Sequence, residues 1–150
     1  MSSQKFSDKV VIVTGSSSGI GQGIALLLAQ QGASVTIHGR SLEGLQETEK
    51  ELVENGVSTD RFVVVQGDIE DPETAKKLLE ETVEKFGKID VLVNNAGVGA
   101  KPTVDPNSEE NLDFVLDVNL KSVIRLNNLV IPELEKTKGN IVNISSIDAL

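Results

Sequence analysis

The sequence predicts an α/β chain built on a parallel sheet, and three observations carry that expectation. Short runs rich in Val and Ile alternate with segments of helical periodicity along the whole chain. The runs are apolar throughout rather than at every second residue, as strands buried on both faces are. A glycine-rich turn, Thr14-Gly15-Ser16-Ser17-Ser18-Gly19-Ile20-Gly21, lies between the first apolar run and the first helical segment. Strands joined by helices of this length imply right-handed crossovers and a single parallel sheet.

Each element has its own signals. Val10-Val11-Ile12-Val13 is the first strand. The first helix covers residues 20–31, with Ile20, Ile24, Ala25, Leu27 and Leu28 at helical spacing, and Gly32 ends it. Val35-Thr36-Ile37-His38 is the second strand. Ser41 caps a helix carrying Leu42, Leu45, Leu52 and Val53, which Asn55-Gly56 closes. Phe62-Val63-Val64-Val65 is the third strand. Asp71 caps the next helix, with Pro72 at its first position and Gly87 past its end. Ala75, Leu78, Leu79, Val83 and Phe86 form its apolar face. Residues 89–93 form the fourth strand, and residues 101–107 a polar loop. A long helix starts near Ser108. Ile141-Val142-Asn143-Ile144 is the fifth strand.

Composition narrows the function. The net charge of −9 argues against a nucleic-acid or anionic-membrane surface, which needs basic patches. No cysteine is present, so disulfides and thiolate metal sites are excluded, and the lone His38 cannot build a histidine-rich metal site. No metal is expected. No run of about 18 apolar residues could cross a membrane, and residues 1–6 lack the apolar core of a signal peptide. A cytoplasmic location is the expectation, and residues 1–150 read as one domain. The acidic residues of 43–54 and 70–84 read as solvated helix faces.

The turn implies a dinucleotide. Gly15, Gly19 and Gly21 let the backbone approach a ligand, and the helix N-terminus offers unpaired N–H groups to a phosphate. No Gly-Lys-Ser/Thr follows, so it is not a P-loop. The second strand runs out at His38-Gly39-Arg40-Ser41, with no acid to accept from a ribose 2′-hydroxyl. Arg40 can donate to a 2′-phosphate, and Ser41 adds a hydroxyl and a helix N-terminus. The expected cofactor is therefore NADP rather than NAD. His38 reads as a packed strand-end residue.

Further pieces follow in order. Asp68-Ile69 comes after the third strand, Asn94-Asn95-Ala96-Gly97 after the fourth, Asn119 in the long helix, and Ile144-Ser145-Ser146 after the fifth. With the turn, they resemble the short-chain dehydrogenase/reductase family over essentially all 150 residues. The resemblance implies a doubly wound Rossmann sheet in the order 3-2-1-4-5. It implies hydride transfer between a nicotinamide and a small-molecule alcohol or carbonyl. By the same resemblance, Gly15, Ser17, Ser18 and Ile20 would hold the pyrophosphate and Arg40 the 2′-phosphate. Asp68 and Ile69 would flank the adenine, and Asn95, Ala96 and Gly97 would pass beneath the adenosine ribose. Ser146 matches the catalytic serine, and Asn119 the asparagine that holds a water in a proton relay. Leu112, Leu116, Asn119, Val123, Leu126 and Val130 fall on one helical stripe, which places Asn119 as the polar member of a buried face.

The resemblance also stops short. The family's acid/base tyrosine and its lysine follow the serine, yet this chain has no tyrosine. The expectation is a cofactor-binding, catalytically incomplete chain, truncated after the fifth strand, with that strand left as an apolar edge. A full-length form would be a homo-oligomer through the long helix. The alternative is a noncatalytic binding module that pairs with a full-length relative.

Overall fold

Valine and isoleucine fill β1 (Val10–Val13), and every residue of it is buried. It lies at the centre of a five-stranded parallel sheet in the order β3-β2-β1-β4-β5. The computed structural model describes residues 4–147. The outermost positions of the expected domain, 1–3 and 148–150, lie outside the described residues.

In chain order, β1 leads to α1 (Gly19–Gln30), β2 (Ser34–Gly39), α2 (Leu42–Glu54) and a short turn of tight helix at Thr59–Arg61. Then come β3 (Phe62–Gln66), α3 (Pro72–Phe86), β4 (Val91–Asn94), α4 (Glu109–Leu116), α5 (Ser122–Thr137) and β5 (Asn140–Asn143). Helices cover both faces. On one side α1 and α2 enclose a core with Val11, Val13, Ala25, Ala29, Leu45 and Leu52. On the other, α3 and α5 pack over Ile12, Val65, Leu78, Leu92, Leu126 and Val130.

Local signals account for the helix ends. Ser41, Asp71 and Ser108 each cap a helix by accepting a backbone N–H, from Gly44, Glu73 and Asn111 respectively. Gly87 ends α3 at φ 78, the left-handed region where a side chain is disfavoured. Helix α1 buries Gly21, Ala25 and Ala29, so small residues let it sit close to the sheet. Ile20 and Leu27, read from the sequence as part of its apolar face, are instead 70% and 54% exposed. Asp90 pins the far end of the sheet. It accepts from Val10 N at 2.9 Å and pairs with Lys88 at 3.0 Å and Lys9 at 3.5 Å. Burial opposes its ionisation, but those partners outweigh it and hold the carboxyl below its ordinary pKa.

The long segment after Ser108 is interrupted. Between α4 and α5, residues Asp117–Lys121 form a π-helical turn. The buried face through it takes Val118, Ser122, Leu126, Val130 and Leu134, in steps of four. Leu112 and Leu116 lie off that face, 56% and 37% exposed, and Asn119 is exposed as well. The buried polar position expected at Asn119 is therefore corrected. The wider turn favours steps of four over the mixed three- and four-residue steps of a regular helix, so the stripe read through Leu112, Leu116 and Asn119 leaves the buried face. At the sheet edge, Val142 of β5 and Ile144 just after it are each 39% exposed.

Buried hydroxyls couple α3 to β2. Thr82 Oγ1 donates to Leu78 O, so its 2.7 Å contact with Thr36 Oγ1 must be a bond that Thr36 donates. Both residues are fully buried. Thr82→Val strands the Thr36 hydroxyl and should cost about 1–3 kcal/mol, whereas Thr36→Val leaves Thr82 satisfied and should cost well under that. Urea unfolding of the two variants checks the asymmetry, and equal losses would contradict it.

Candidate functional site

The carboxyl ends of β1, β2 and β4 open onto a cleft of about 200 Å³. Open parallel sheets place ligands at such ends, where the strand order reverses. Gly15, at φ 64, begins the turn on one wall. A Cβ there would lie 2.8 Å from Ala96 Cα, and one on Gly21 would collide with Gly15 O and Asn95 Nδ2. The two glycines are thus required for the turn to nest against the segment after β4. Helix α1 starts at Ser18, which makes no side-chain cap bond, unlike Ser41, Asp71 and Ser108. Its first-turn N–H groups are those that helical geometry leaves without an intrahelical acceptor.

Thr14 ties that turn to β4. Its buried Oγ1 accepts from Asn95 N and Ala96 N, both at 3.0 Å, and donates to Val93 O at 3.4 Å. Asn95 Nδ2 returns two bonds, to Thr14 O and Gly15 O, each 3.0 Å. The floor is His38. Gly15 N donates to its Nδ1 at 3.1 Å, and its Nε2 lies 3.0 Å from Gly67 O. Arg125 on α5 donates to Glu70 O at 2.9 Å and steadies the opposite wall.

Among the residues expected at a cofactor, Gly15, Ser17, Ser18, Arg40, Ile69, Asn95, Ala96 and Gly97 line this cleft. Arg40 is exposed at its rim, where β2 ends. Gly39, just before it, abuts Ser17: a Cβ on Gly39 would lie 2.6 Å from that of Ser17. Gly19, Ile20, Gly21, Ser41 and Asp68 do not line the cleft. Ser41 spends its hydroxyl oxygen as the α2 cap, Gly21 is buried beneath the turn, and Asp68 is exposed just past Gly67. The Ile69 side chain packs into the core, 7% exposed.

The two residues expected in catalysis lie at the other end of the site. Asn119 sits in the π turn and clamps the segment after β4. Its Oδ1 accepts from Val98 N at 2.8 Å and its Nδ2 donates to Val98 O at 2.7 Å. Ser146 lies exposed beyond β5. Ile144 N donates to Asn94 O at 3.0 Å, which continues the β4–β5 pairing toward it. Behind it, buried Asn94 donates to both Asn127 Oδ1 and Asn143 Oδ1 at 2.9 Å. The polar loop of residues 101–107 is fastened by Asn111, which accepts from Lys101 N and donates to Pro106 O.

His38, Val98, Val118 and Glu70 line the cleft without having been expected there. A strand-end position was the signal for His38, and the Asn-Ala-Gly run was the signal for Val98. Arg125 and Asn127 carried none, since only the tertiary fold brings α5 to these strands. Among the described residues, no group of three or more His, Cys, Asp or Glu could hold a metal ion. Nor is any described helix long and apolar enough to cross a membrane.

This strand order, with its glycine turn beneath the switch point, defines a Rossmann-type nucleotide fold. Comparison with known proteins agrees: residues 9–150 match the family described as short chain dehydrogenase, and the chain belongs to that family. It is 39% identical over 140 residues to the 3-oxoacyl-acyl-carrier-protein reductase of Thermotoga maritima, covering 93% of this chain and 56% of that one. The crystal structure of a glucose dehydrogenase of Caenorhabditis elegans in its apo form superposes with a TM-score of 0.88. It is 45% identical, over 95% of this chain and 56% of that one. A short-chain dehydrogenase/reductase of unknown function from the same organism, solved with cofactor, gives 0.91 at 43% identity. That match covers 97% of this chain and 55% of the other. The chain thus spans a little over half the length of these relatives.

The Thr14 hydroxyl supports two buried-side amides at once, so its loss should be felt. Thr14→Val removes the acceptor for Asn95 N and Ala96 N and should cost about 2–3 kcal/mol, while Thr14→Ser should cost less than half of that. Chemical denaturation of both variants checks the prediction, and a Val variant as stable as the Ser variant would contradict it.

Proposed function

We propose that residues 1–150 form the NADP-binding portion of a short-chain oxidoreductase that transfers hydride between nicotinamide and a small alcohol or carbonyl. The observation that carries the cofactor choice is Arg40 at the rim of the cleft, where β2 ends without an acid. A guanidinium there favours a 2′-phosphate, and the absent carboxylate removes the group that would repel it. Gly15, Ser17 and Ser18, with the uncapped start of α1, take the pyrophosphate. Asp68 and Ile69 take the adenine side, and Asn95, Ala96 and Gly97 the ribose.

Asn119 and Ser146 are the chain's contribution to chemistry. A serine hydroxyl just past a strand end can donate to a carbonyl oxygen as negative charge develops there. Nothing in these 150 residues supplies a phenol for proton transfer, since the chain contains no tyrosine. The 150 residues therefore bind cofactor without efficient turnover. Calorimetric titration with NADPH and NADH tests the cofactor choice. NADPH should bind at least about tenfold more tightly, and Arg40→Ala should erase most of that difference. A tenfold preference for NADH overturns the reading.

A second reading is favoured by Leu112, Leu116, Leu120 and Ile124. They repeat every four residues along α4, the π turn and α5, and are 37–56% exposed. An apolar row of this kind suits a helix-to-helix contact with a second copy or a longer relative. A concentration-dependent mass in light scattering would support it.

A further inference from the structure

His38 is buried at 2% exposure, yet every polar group it carries is engaged. Its N donates to Ser16 Oγ at 2.9 Å, and its O accepts from Ser16 N at 2.7 Å. Ser16 Oγ donates in turn to Val13 O at 2.8 Å. The ring reaches in two directions from this anchored backbone. A backbone N–H can only donate, so the Gly15 bond makes Nδ1 an acceptor. The single proton of a neutral ring must then sit on Nε2 and be donated to Gly67 O. Gly67 begins the segment that runs on through Asp68 and Ile69 to the far wall of the cleft.

We propose that the His38 imidazole is a neutral strut that spaces the glycine turn from the Gly67–Asp68 segment and so positions both ends of the site for a dinucleotide. This rests on the cofactor reading above. His38 is a positioning residue, since it acts through Gly15 and Gly67 rather than by chemistry of its own. The bond to Gly15 also claims an N–H at the start of the turn, leaving the later amides, from Ser17 onward, to face a phosphate.

The strut works only without a second proton, because an imidazolium has no acceptor for Gly15 N–H. Burial is the dominant influence and lowers the His38 pKa from 6.5 to about 4, against the opposing effects of the Gly67 bond and the Asp68 charge. Residues 14–19 of the turn carry no titratable side chain, and Arg40 and Glu70 are the other charged groups on the cleft. Because the folded-state pKa lies below the free value, the folded state binds fewer protons. The ring's contribution to folding stability is complete above pH 6.5 and is lost as pH falls toward about 4, and the strut itself breaks only as pH nears that folded value.

The chain has one histidine, so nitrogen NMR of the imidazole reads this ring alone. The expected spectrum at neutral pH shows Nε2 protonated and Nδ1 bare, with no titration near 6.5. A protonated Nδ1, or titration at 6.5, overturns the strut without any variant. His38→Asn keeps an acceptor at the δ position, and His38→Leu keeps bulk alone. Leu should weaken dinucleotide binding about tenfold and Asn within about threefold. Because the folded ring stays largely neutral until pH nears about 4, wild-type affinity should run parallel to that of His38→Asn down to about pH 5 and fall away from it only as pH approaches 4 and below. Equal affinity and equal pH profiles for the three proteins overturn the positioning role. Failure of wild type to bind either NADPH or NADH refutes the cofactor reading instead, and the tautomer still decides whether the strut exists.

Discussion

The bonding between Thr14 and Asn95 is the constraint on which the site depends. Strands β1 and β4 are neighbours, and where their ladder ends, side chains take over its work. Thr14 Oγ1 holds two amides of the β4 side, and Asn95 Nδ2 holds two carbonyls of the β1 side. The backbone after two parallel strands would otherwise splay with unpaired groups at the rim of the core. Here those groups are consumed, the glycine turn is seated on Ala96, and α1 enters at a defined angle. Removing side chains at Gly15 and Gly21 is what permits this closeness.

From that joint the rest of the site follows outward. Gly15 rests on His38, His38 on Gly67, and Gly67 leads to the wall that Arg125 steadies from α5. Ala96 leads to Gly97 and Val98, which Asn119 grips by both its N–H and its carbonyl. The π turn gives Asn119 this reach. It carries the amide off the buried face that the neighbouring turns share, at the cost of regular helical pairing.

Much of this was legible in the sequence because its causes are local. Helix starts at Ser41, Asp71-Pro72 and Ser108 and the end at Gly87 depend on residues within a turn of each other. The parallel sheet follows from apolar runs and crossover rules, whereas its strand order was implied by the family resemblance. The Asn119 stripe was misplaced for the opposite reason. Helical spacing assumes a regular helix, and no local signal marked the five residues from Asp117 to Lys121 as wider. His38 read as packing, which is correct for its burial, but its two bonds depend on where Gly15 and Gly67 meet in space. Arg125 and Asn127 lie on a helix that only the fold brings to the strand ends.

The central claim is that the turn, the end of β2 and the segment after β4 together hold a dinucleotide. Backbone amide NMR during titration with NADPH tests it most directly. The account predicts saturable shifts concentrated at residues 15–20, 40–41, 68–69 and 95–97. Shifts scattered over the surface, or none at saturating cofactor, would contradict it.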